Sequence, residues 1–260
     1  MIGIDDLRTS LTDLVAMAAS DEGTGAWWRK PVLAAGKVDK RYRLLKEAVS
    51  EDHLMPLDLL PTARTVIVFF LPFTEELVME NREGELACRN WGLAYTETNN
   101  LIARISEVLS ALLGEHGHLS AVTPPTHNFD EERLISAWSH RHLAHLVGLG
   151  RFGAHRQIIT PEGAAGRLGS LVTEADLGDH PVQMGVGACL HMAGKTCLVC
   201  AKRCPVNALT GESFDRFSCW DQCLVNDRNL ADMPTTDVCG KCVAVVPCSF
   251  RNPMGSSTRY

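Results

Sequence analysis

The sequence predicts an α/β fold of the α+β kind, with an α/β domain over residues 1–180 and a cysteine-rich domain over residues 181–260. Three observations support this division. Helical and extended patterns alternate through the first part of the chain. From about Leu177 onward, glycine, proline and cysteine replace that periodicity. Nine of the ten cysteines lie between Cys189 and Cys248, so the second part is organised around its cysteines.

The elements of the first part follow from apolar spacing and chain-breaking residues. Apolar residues three and four positions apart predict helices, and short apolar runs bounded by turn residues predict strands. A third helix is expected to begin near Asn128 or Asp130 and to end at Gly148. The predicted helices cover residues 3–19, 98–116 and 128–147, and the predicted strands cover residues 64–70, 156–160 and 167–173.

The composition excludes several classes of protein. The formal net charge is −6 and no long basic run occurs, so nucleic acid is not an expected partner. The N-terminus lacks the apolar core of a secretory signal. The longest apolar run, residues 65–73, is too short to cross a bilayer. We therefore expect a cytoplasmic protein that does not enter the membrane.

The cysteine spacing predicts metal binding. The first unit reads Cys189-x7-Cys197-x2-Cys200-x3-Cys204-Pro, and the second reads Cys239-x2-Cys242-x5-Cys248, with Cys219 and Cys223 between them. Thiolates at such spacing in a reducing compartment usually hold metal. The run that ends in C-x-x-x-C-P is typical of two-cluster bacterial ferredoxins, in which the fourth cysteine binds the other cluster.

That crossed pattern predicts a ferredoxin-like module with two [4Fe–4S] clusters. Cys189 replaces the first cysteine of the usual run, and Cys248 replaces a cysteine expected at Val246. The first cluster would use Cys189, Cys197, Cys200 and Cys248, and the second would use Cys204, Cys219, Cys239 and Cys242. Cys223 is then spare, and Cys88 lies far away in the sequence. The alternative is one four-cysteine zinc site, which leaves five clustered cysteines unexplained.

Three segments resemble the epoxyqueuosine reductase family, and in particular its short double-cluster relatives that lack the C-terminal helical repeats. They are LLPTARTVIVFFLPF, GLGRFGAHRQIITPEGAAGRLGSLVTEADL and CLVCAKRCPVNALTGESFDRFSC. The resemblance implies a nitroreductase-like N-terminal domain, cobalamin bound against the clusters, and electron flow from clusters to cobalt. The catalytic aspartate of the family falls on Leu134, and the sequence ends 12 residues after Cys248, so a reaction on tRNA is not expected.

Two segments supply further candidate residues. His140, Arg141 and His142 precede the cysteines, and they are candidate catalytic residues because histidine can supply a proton and arginine can hold an anion. The alternative is an ordinary amphipathic helix that ends before the cysteines. Gly148–Gly153 spells G-x-G-x-x-G between a helix and a strand, which is the wrong context for a dinucleotide site.

We interpret that glycine segment as a helix stop and tight loop, whose residues Gly150, Arg151 and His155 could also contact a large cofactor.

The leading functional hypothesis is an iron–sulfur reductase. A soluble donor such as a ferredoxin or flavodoxin would deliver electrons to the clusters, which serve a cobalamin or small-molecule substrate in the N-terminal domain. A homodimer is also expected by analogy with nitroreductase-like domains. The alternatives are an electron-transfer or corrinoid-activating protein for a separate partner, a redox sensor, and epoxyqueuosine reduction itself.

Overall fold

The computed structural model describes residues 2–21, 25–182 and 187–255. The predicted domain boundary therefore lies just before a gap in the described residues. The helices are α1 (Ile4–Ala19), α2 (Leu44–Ala48), α3 (Pro56–Leu59), α4 (Glu75–Glu80), α5 (Arg89–Glu115), α6 (His140–Leu146), α7 (Val199–Lys202) and α8 (Arg216–Asn229). The strands are β1 (Val32–Lys37), β2 (Thr65–Pro72), β3 (Ser120–Val122), β4 (Phe129–Asp130), β5 (Ile135–Ser136), β6 (Arg151–Phe152), β7 (Ile158–Ile159) and β8 (Gly166–Thr173).

A four-stranded antiparallel sheet forms the centre of the first part, with strand order β1-β2-β8-β3. All eight residues of β2 are buried. Because successive side chains of a strand point to opposite faces, a strand buried on both faces is apolar throughout. This explains why residues 65–72 form an unbroken apolar run instead of an alternating one.

The two faces of the sheet carry different helices. Ile67, Phe69 and Leu71 of β2 belong to a core that includes apolar residues of α1 and α5. The intervening residues Val66 and Val68 belong to a second core with Trp138 and apolar residues of α6. This part of the chain therefore has helices on both faces of one sheet, and the predicted mixed α/β class is confirmed.

The predicted helix over residues 128–147 is wrong in its first half. Residues 129–136 form the short hairpin β4–β5, and only His140–Leu146 is helical. The Asp130 side chain accepts hydrogen bonds from the backbone N–H groups of Glu132 and Arg133, at 2.9 and 2.8 Å. A side chain that bonds its own backbone in this way favours a turn over a helix. Leu134 follows in the left-handed region, with φ of 51°.

The cysteine-rich part packs directly against the sheet domain. Val243, Ala244 and Val246 belong to the same core as α1 and α5. The turn before β8 contacts it as well, because the backbone N–H of Ala164 donates to the carbonyl of Cys248 at 2.9 Å. In the described part of residues 187–255, the longest helix is α8 with 14 residues, and most of the remaining chain is loop.

Among the residues that the structure describes, there is no helix with both the length and the apolar character that crossing a membrane requires.

Candidate functional site

The cysteines form two groups in space. The first cysteine group surrounds a small cavity, and Val246 and His155 complete its wall. Its members are Cys189, Cys197, Cys200 and Cys248. Burial raises the pKa of Cys248 to about 12, and the neighbouring thiols of the group add to the effect. Because like charges this close oppose ionisation, the group is suited to bind a cationic centre that compensates several thiolates.

The second cysteine group faces a larger cavity of about 460 Å³. Its members are Cys204, Cys219, Cys223, Cys239 and Cys242. Burial raises the pKa of Cys239 to about 11 and also raises the pKa of Cys242. Cys204 belongs to the first sequence unit but lies in the second group. Cys248 belongs to the second sequence unit but lies in the first group. The grouping is compatible with the crossed ligation expected from the spacing, and the assignment of ligands to clusters stays a prediction.

Cys219 and Cys223 lie one turn apart on α8 and interact with each other. The hydrogen bond with Cys223 lowers the pKa of Cys219, and the same bond raises the pKa of Cys223. The guanidinium of Arg141 also favours the Cys219 thiolate. The bond thus favours the thiolate on Cys219, with Cys223 as the hydrogen-bond donor.

Two N–H groups approach sulfur atoms of these groups. The backbone N–H of Ala208 donates to Cys204 Sγ at 3.2 Å. His155 is buried, and its Nε2 lies 3.2 Å from Cys248 Sγ. The backbone N–H of Gln157 donates to His155 Nδ1 at 3.0 Å, so Nδ1 must be the acceptor nitrogen. The neutral ring then carries its proton on Nε2 and donates to the sulfur.

The second cysteine segment lies close to α5 because of a glycine. Gly240, between Cys239 and Cys242, has φ of 73°. A side chain at this position would collide with the ring of Trp91. Lys241 follows, and its buried Nζ donates to the carbonyls of Asn81 and Glu83 at 2.9 and 2.7 Å. These contacts hold the loop against the sheet domain.

The three candidate catalytic residues do not lie together. His140 accepts from Ser170 through Nδ1 at 2.8 Å and contacts the carbonyl of Pro124 through Nε2, on the face of the sheet that carries α6. His142 Nδ1 lies 2.7 Å from Ser139 Oγ, and its ring packs on Phe152. Burial lowers the pKa of both histidines to about 4. Only Arg141 lines the large cavity.

The residues suggested for cobalamin do not form a cradle. A side chain at Gly150 would collide with Ile158 and the backbone of Ile159, so close packing accounts for this glycine. Arg151 is exposed on β6, and His155 is directed at Cys248. A cavity of about 460 Å³ suits a drug-sized ligand, and cobalamin is larger than that. Of these three residues only His155 lines the large cavity, and cobalamin binding stays a prediction.

Residues of the cavity that the sequence did not reveal come from three separate elements. Tyr95 lies on α5, Arg167 on β8, and Asp237 just before the second cysteine unit. Arg167 lies over the ring of Tyr95, 4.3 Å from its centroid, and Tyr95 Oη lies 3.1 Å from Thr126 Oγ1. No local pattern marks these residues, because only the strand pairing and the docking of the cysteine segment bring them together.

The described residues contain no group of three or more His, Cys, Asp or Glu side chains placed to hold a single metal ion. The cysteines surround cavities instead.

No protein-family model and no curated protein sequence matches the chain. Solved structures do. The chain aligns with epoxyqueuosine reductase from Streptococcus thermophilus at a TM-score of 0.56 and 18% identity, covering 98% of this chain and 69% of that one. It also aligns with epoxyqueuosine reductase from Bacillus subtilis at a TM-score of 0.55 and 18% identity, covering 94% of this chain and 66% of that one. In that structure the catalytic aspartate loop is swung out of the active site.

The chain has the fold of epoxyqueuosine reductases. The likeness that the sequence suggested is thus confirmed for the fold. A catabolic reductive dehalogenase also aligns, with a TM-score of 0.56 and 14% identity, over 85% of this chain and 30% of that chain. The chain spans about two thirds of the epoxyqueuosine reductases and under a third of this dehalogenase.

Leu134 lies on the wall of the large cavity, at the position where the sequence resemblance puts the catalytic aspartate of the reductases. An apolar side chain cannot donate a proton, so any proton that a reaction in this cavity requires comes from another group.

Proposed function

We propose that this chain is an iron–sulfur reductase that holds two [4Fe–4S] clusters and reduces a small molecule in the large cavity. The first cluster is held by Cys189, Cys197, Cys200 and Cys248. The second is held by Cys204, Cys219, Cys239 and Cys242. When bound, the clusters supply single electrons. A nitroreductase-like domain over residues 1–180 and a ferredoxin-like module over residues 181–260 complete the proposal.

One observation supports this proposal: the second cysteine group opens onto a cavity that residues of the sheet domain also line. Trp91 and Tyr95 of α5 and Arg167 of β8 face the same space as the cysteines. A ligand there would lie next to the group that holds the second cluster. A cluster held by the cysteines would fill only the part of the cavity next to them, and the walls added by the sheet domain favour an enzyme over a plain electron carrier.

The chain's own residues divide the remaining tasks. The guanidinium of Arg141 lies close enough to Cys219 and Cys242 to favour their thiolates. Phe73, Trp91 and Trp220 provide apolar walls of the cavity. His155 borders both cavities, and the first cysteine group lies on its far side. A ligand in the large cavity would therefore lie closer to the second cysteine group than to the first. A ferredoxin or flavodoxin is the expected electron donor.

Iron and acid-labile sulfide analysis of anaerobically purified protein tests the cluster content. Two [4Fe–4S] clusters require about eight iron and eight sulfide per chain. Cys248→Ser is expected to lose about half of both, whereas Cys88→Ser, which alters a cysteine outside the two groups, is expected to keep the full complement. Stoichiometric zinc without sulfide would contradict the proposal.

Titration with cob(II)alamin separates this proposal from a cobalamin enzyme. Because the cavity residues do not form a corrin cradle, we expect no retention of cob(II)alamin on gel filtration of the cluster-loaded protein. Stoichiometric retention, with a change in the cobalt EPR signal, would show that the cavity opens further and that the reaction follows the cobalamin chemistry which the sequence resemblance implies.

A further inference from the structure

The large cavity contains more cationic than anionic side chains. Arg141, Arg167, Arg216 and Lys241 line it, and Asp237 is its single carboxylate among the described residues. In the part of the chain that the structure describes, none of the three arginines forms an ion pair with Asp or Glu. The cavity therefore favours an anionic ligand, unless each positive charge is balanced in another way.

Three of the four cations are balanced. Arg141 faces the thiols of Cys219 and Cys242. Arg216 is exposed at the start of α8, so water solvates it. Lys241 donates to two backbone carbonyls, as described above.

Arg167 is the cation that remains. Its Nε is buried without a hydrogen-bond partner, and its guanidinium lies over the ring of Tyr95 at 4.3 Å. Asp237, whose charge acts on it, forms no ion pair with it; its Oδ2 contacts His127 Nε2 at 3.3 Å, and its buried Oδ1 has no hydrogen-bond partner. A guanidinium remains charged even when buried, so a site of this kind is stabilised by an oxyanion that accepts from its planar fork.

Part of the cavity wall is aromatic. Phe129 and Trp220 meet edge to face, with ring centroids 5.3 Å apart. Both rings line the cavity, together with Phe73 and Trp91. Aromatic walls favour a flat apolar body, which can stack on one ring or meet its edge.

We propose that the large cavity binds a planar organic anion, with its carboxylate or phosphate held by Arg167 and its flat apolar part against Phe129 and Trp220. The inference deepens the proposed function, because it assigns a substrate class to the cavity beside the second cysteine group. Its own basis is the buried Arg167 Nε, which has no hydrogen-bond partner, and the aromatic wall, and neither depends on the clusters.

Calorimetric titration of anaerobic, cluster-loaded protein tests the inference with four probes. Benzoate and phenyl phosphate carry the ring and a charge, benzamide carries the ring alone, and inorganic phosphate carries the charge alone. We expect at least one ring-bearing anion to bind about tenfold or more tightly than benzamide, since a hydrogen bond to a charged group contributes about 1.5–3 kcal/mol. The preferred probe then distinguishes a carboxylate substrate from a phosphate.

Variants assign that preference to Arg167. Arg167→Gln is expected to remove the advantage of the anion over benzamide, and Arg167→Lys to keep part of it, because lysine retains the charge but not the fork. Arg64→Gln is the matched control, since Arg64 is an exposed arginine that pairs with Asp176 outside the cavity. Its binding should equal that of the unchanged protein. Far-ultraviolet circular dichroism verifies that each variant is folded.

Equal binding of benzoate, phenyl phosphate and benzamide would overturn the inference. Binding of inorganic phosphate as tight as that of the ring-bearing anions would also overturn it, because the aromatic wall would then contribute nothing. Unchanged anion binding in a folded Arg167→Gln protein would do the same. Iron and sulfide are measured on the same samples. Anion binding that depends on Arg167 in a protein without clusters would refute the proposed reductase and leave the anion site intact.

Discussion

His155 donates a hydrogen bond to one cysteine sulfur, that of Cys248. Its proton lies on Nε2 because the backbone N–H of Gln157 occupies Nδ1, and Nε2 donates to Cys248 Sγ at 3.2 Å. Hydrogen bonds to cluster sulfurs raise the reduction potential, because they stabilise the more negative reduced state. The residue that the sequence suggested as a cofactor contact thus acts on a proposed cluster ligand.

His155→Leu is expected to make the midpoint potential of one cluster more negative by on the order of 60 mV, which corresponds to a tenfold change in the equilibrium constant for one electron. An EPR-monitored redox titration of the anaerobic protein measures both potentials. The potential of the other cluster should stay unchanged.

His155→Gln provides the matched comparison, because a glutamine side chain retains an N–H donor of similar reach. A smaller shift than in His155→Leu is expected. If both variants leave both potentials unchanged while the iron content is complete, the histidine is only a packing residue.

The two cysteines of α8 make a second prediction at the scale of single residues. Cys219 is stabilised as the thiolate by Arg141 and by its bond with Cys223, so Cys219 is the expected ligand. Cys219→Ser should reduce the iron content from about eight to about four per chain, and Cys223→Ser should leave it near eight. Iron analysis of the pair, purified in parallel, distinguishes the two. The reverse pattern would make Cys223 the ligand.

At the scale of the elements, Lys241 connects its own loop, which follows Gly240, to the end of α4. Its Nζ donates to the carbonyls of Asn81 and Glu83, which lie just after α4. Asn81 in turn donates through Nδ2 to the carbonyl of Cys239 at 2.9 Å. This network connects the segment that carries the second cysteine unit to the sheet domain.

Lys241→Met keeps the length of the side chain but leaves both carbonyls without this donor. A buried acceptor without a partner costs about 1–3 kcal/mol, so we expect a lower melting temperature for the cluster-loaded protein. Differential scanning calorimetry under anaerobic conditions measures the change. Lys202→Met, which alters an exposed lysine of α7, should leave the melting temperature nearly unchanged. Equal effects of the two substitutions would count against the network.

The elements differ in how far their sequences determine them. The strand predicted over residues 64–70 is observed at 65–72, and the helix predicted over residues 98–116 is observed at 89–115, so its start was predicted nine residues too late. Residues 128–138 also have apolar side chains at helical spacing. There, Ser136 Oγ donates to Asn128 Oδ1 at 2.6 Å, which the hairpin allows. Local polar bonds of this kind override apolar spacing and leave no periodic signal.

At the scale of the whole molecule, the candidate site combines a predictable half and an unpredictable half. The cysteine groups follow from spacing, because a short C-x-x-C loop brings its thiols together regardless of the surroundings. Arg167 could not be predicted as a cavity residue. It faces Leu71 across the β2–β8 pair, and that register places it on the same face as α5 and the docked cysteine segment. Its position is a property of the assembled sheet.

This division of the molecule predicts how it responds to cluster loss. The sheet domain has apolar cores on both faces, so it can remain folded by itself. Residues 187–255 contain mainly loop around their cysteines, and a site of this kind depends on its metal for folding. Removal of iron should therefore unfold the cysteine-rich part first.

Hydrogen exchange of the iron-depleted protein tests this expectation. Amides of β2 and α5 should keep most of their protection, whereas amides of α8 and of the loop Cys239–Cys242 should exchange much faster than in the cluster-loaded protein. The Cys88→Ser protein, depleted in the same way, controls for thiol oxidation outside the two groups. Because Val243, Ala244 and Val246 share a core with α5, protection could instead be lost together in all of these segments. That outcome would show that the two parts form one cooperative unit whose stability depends on both cysteine groups.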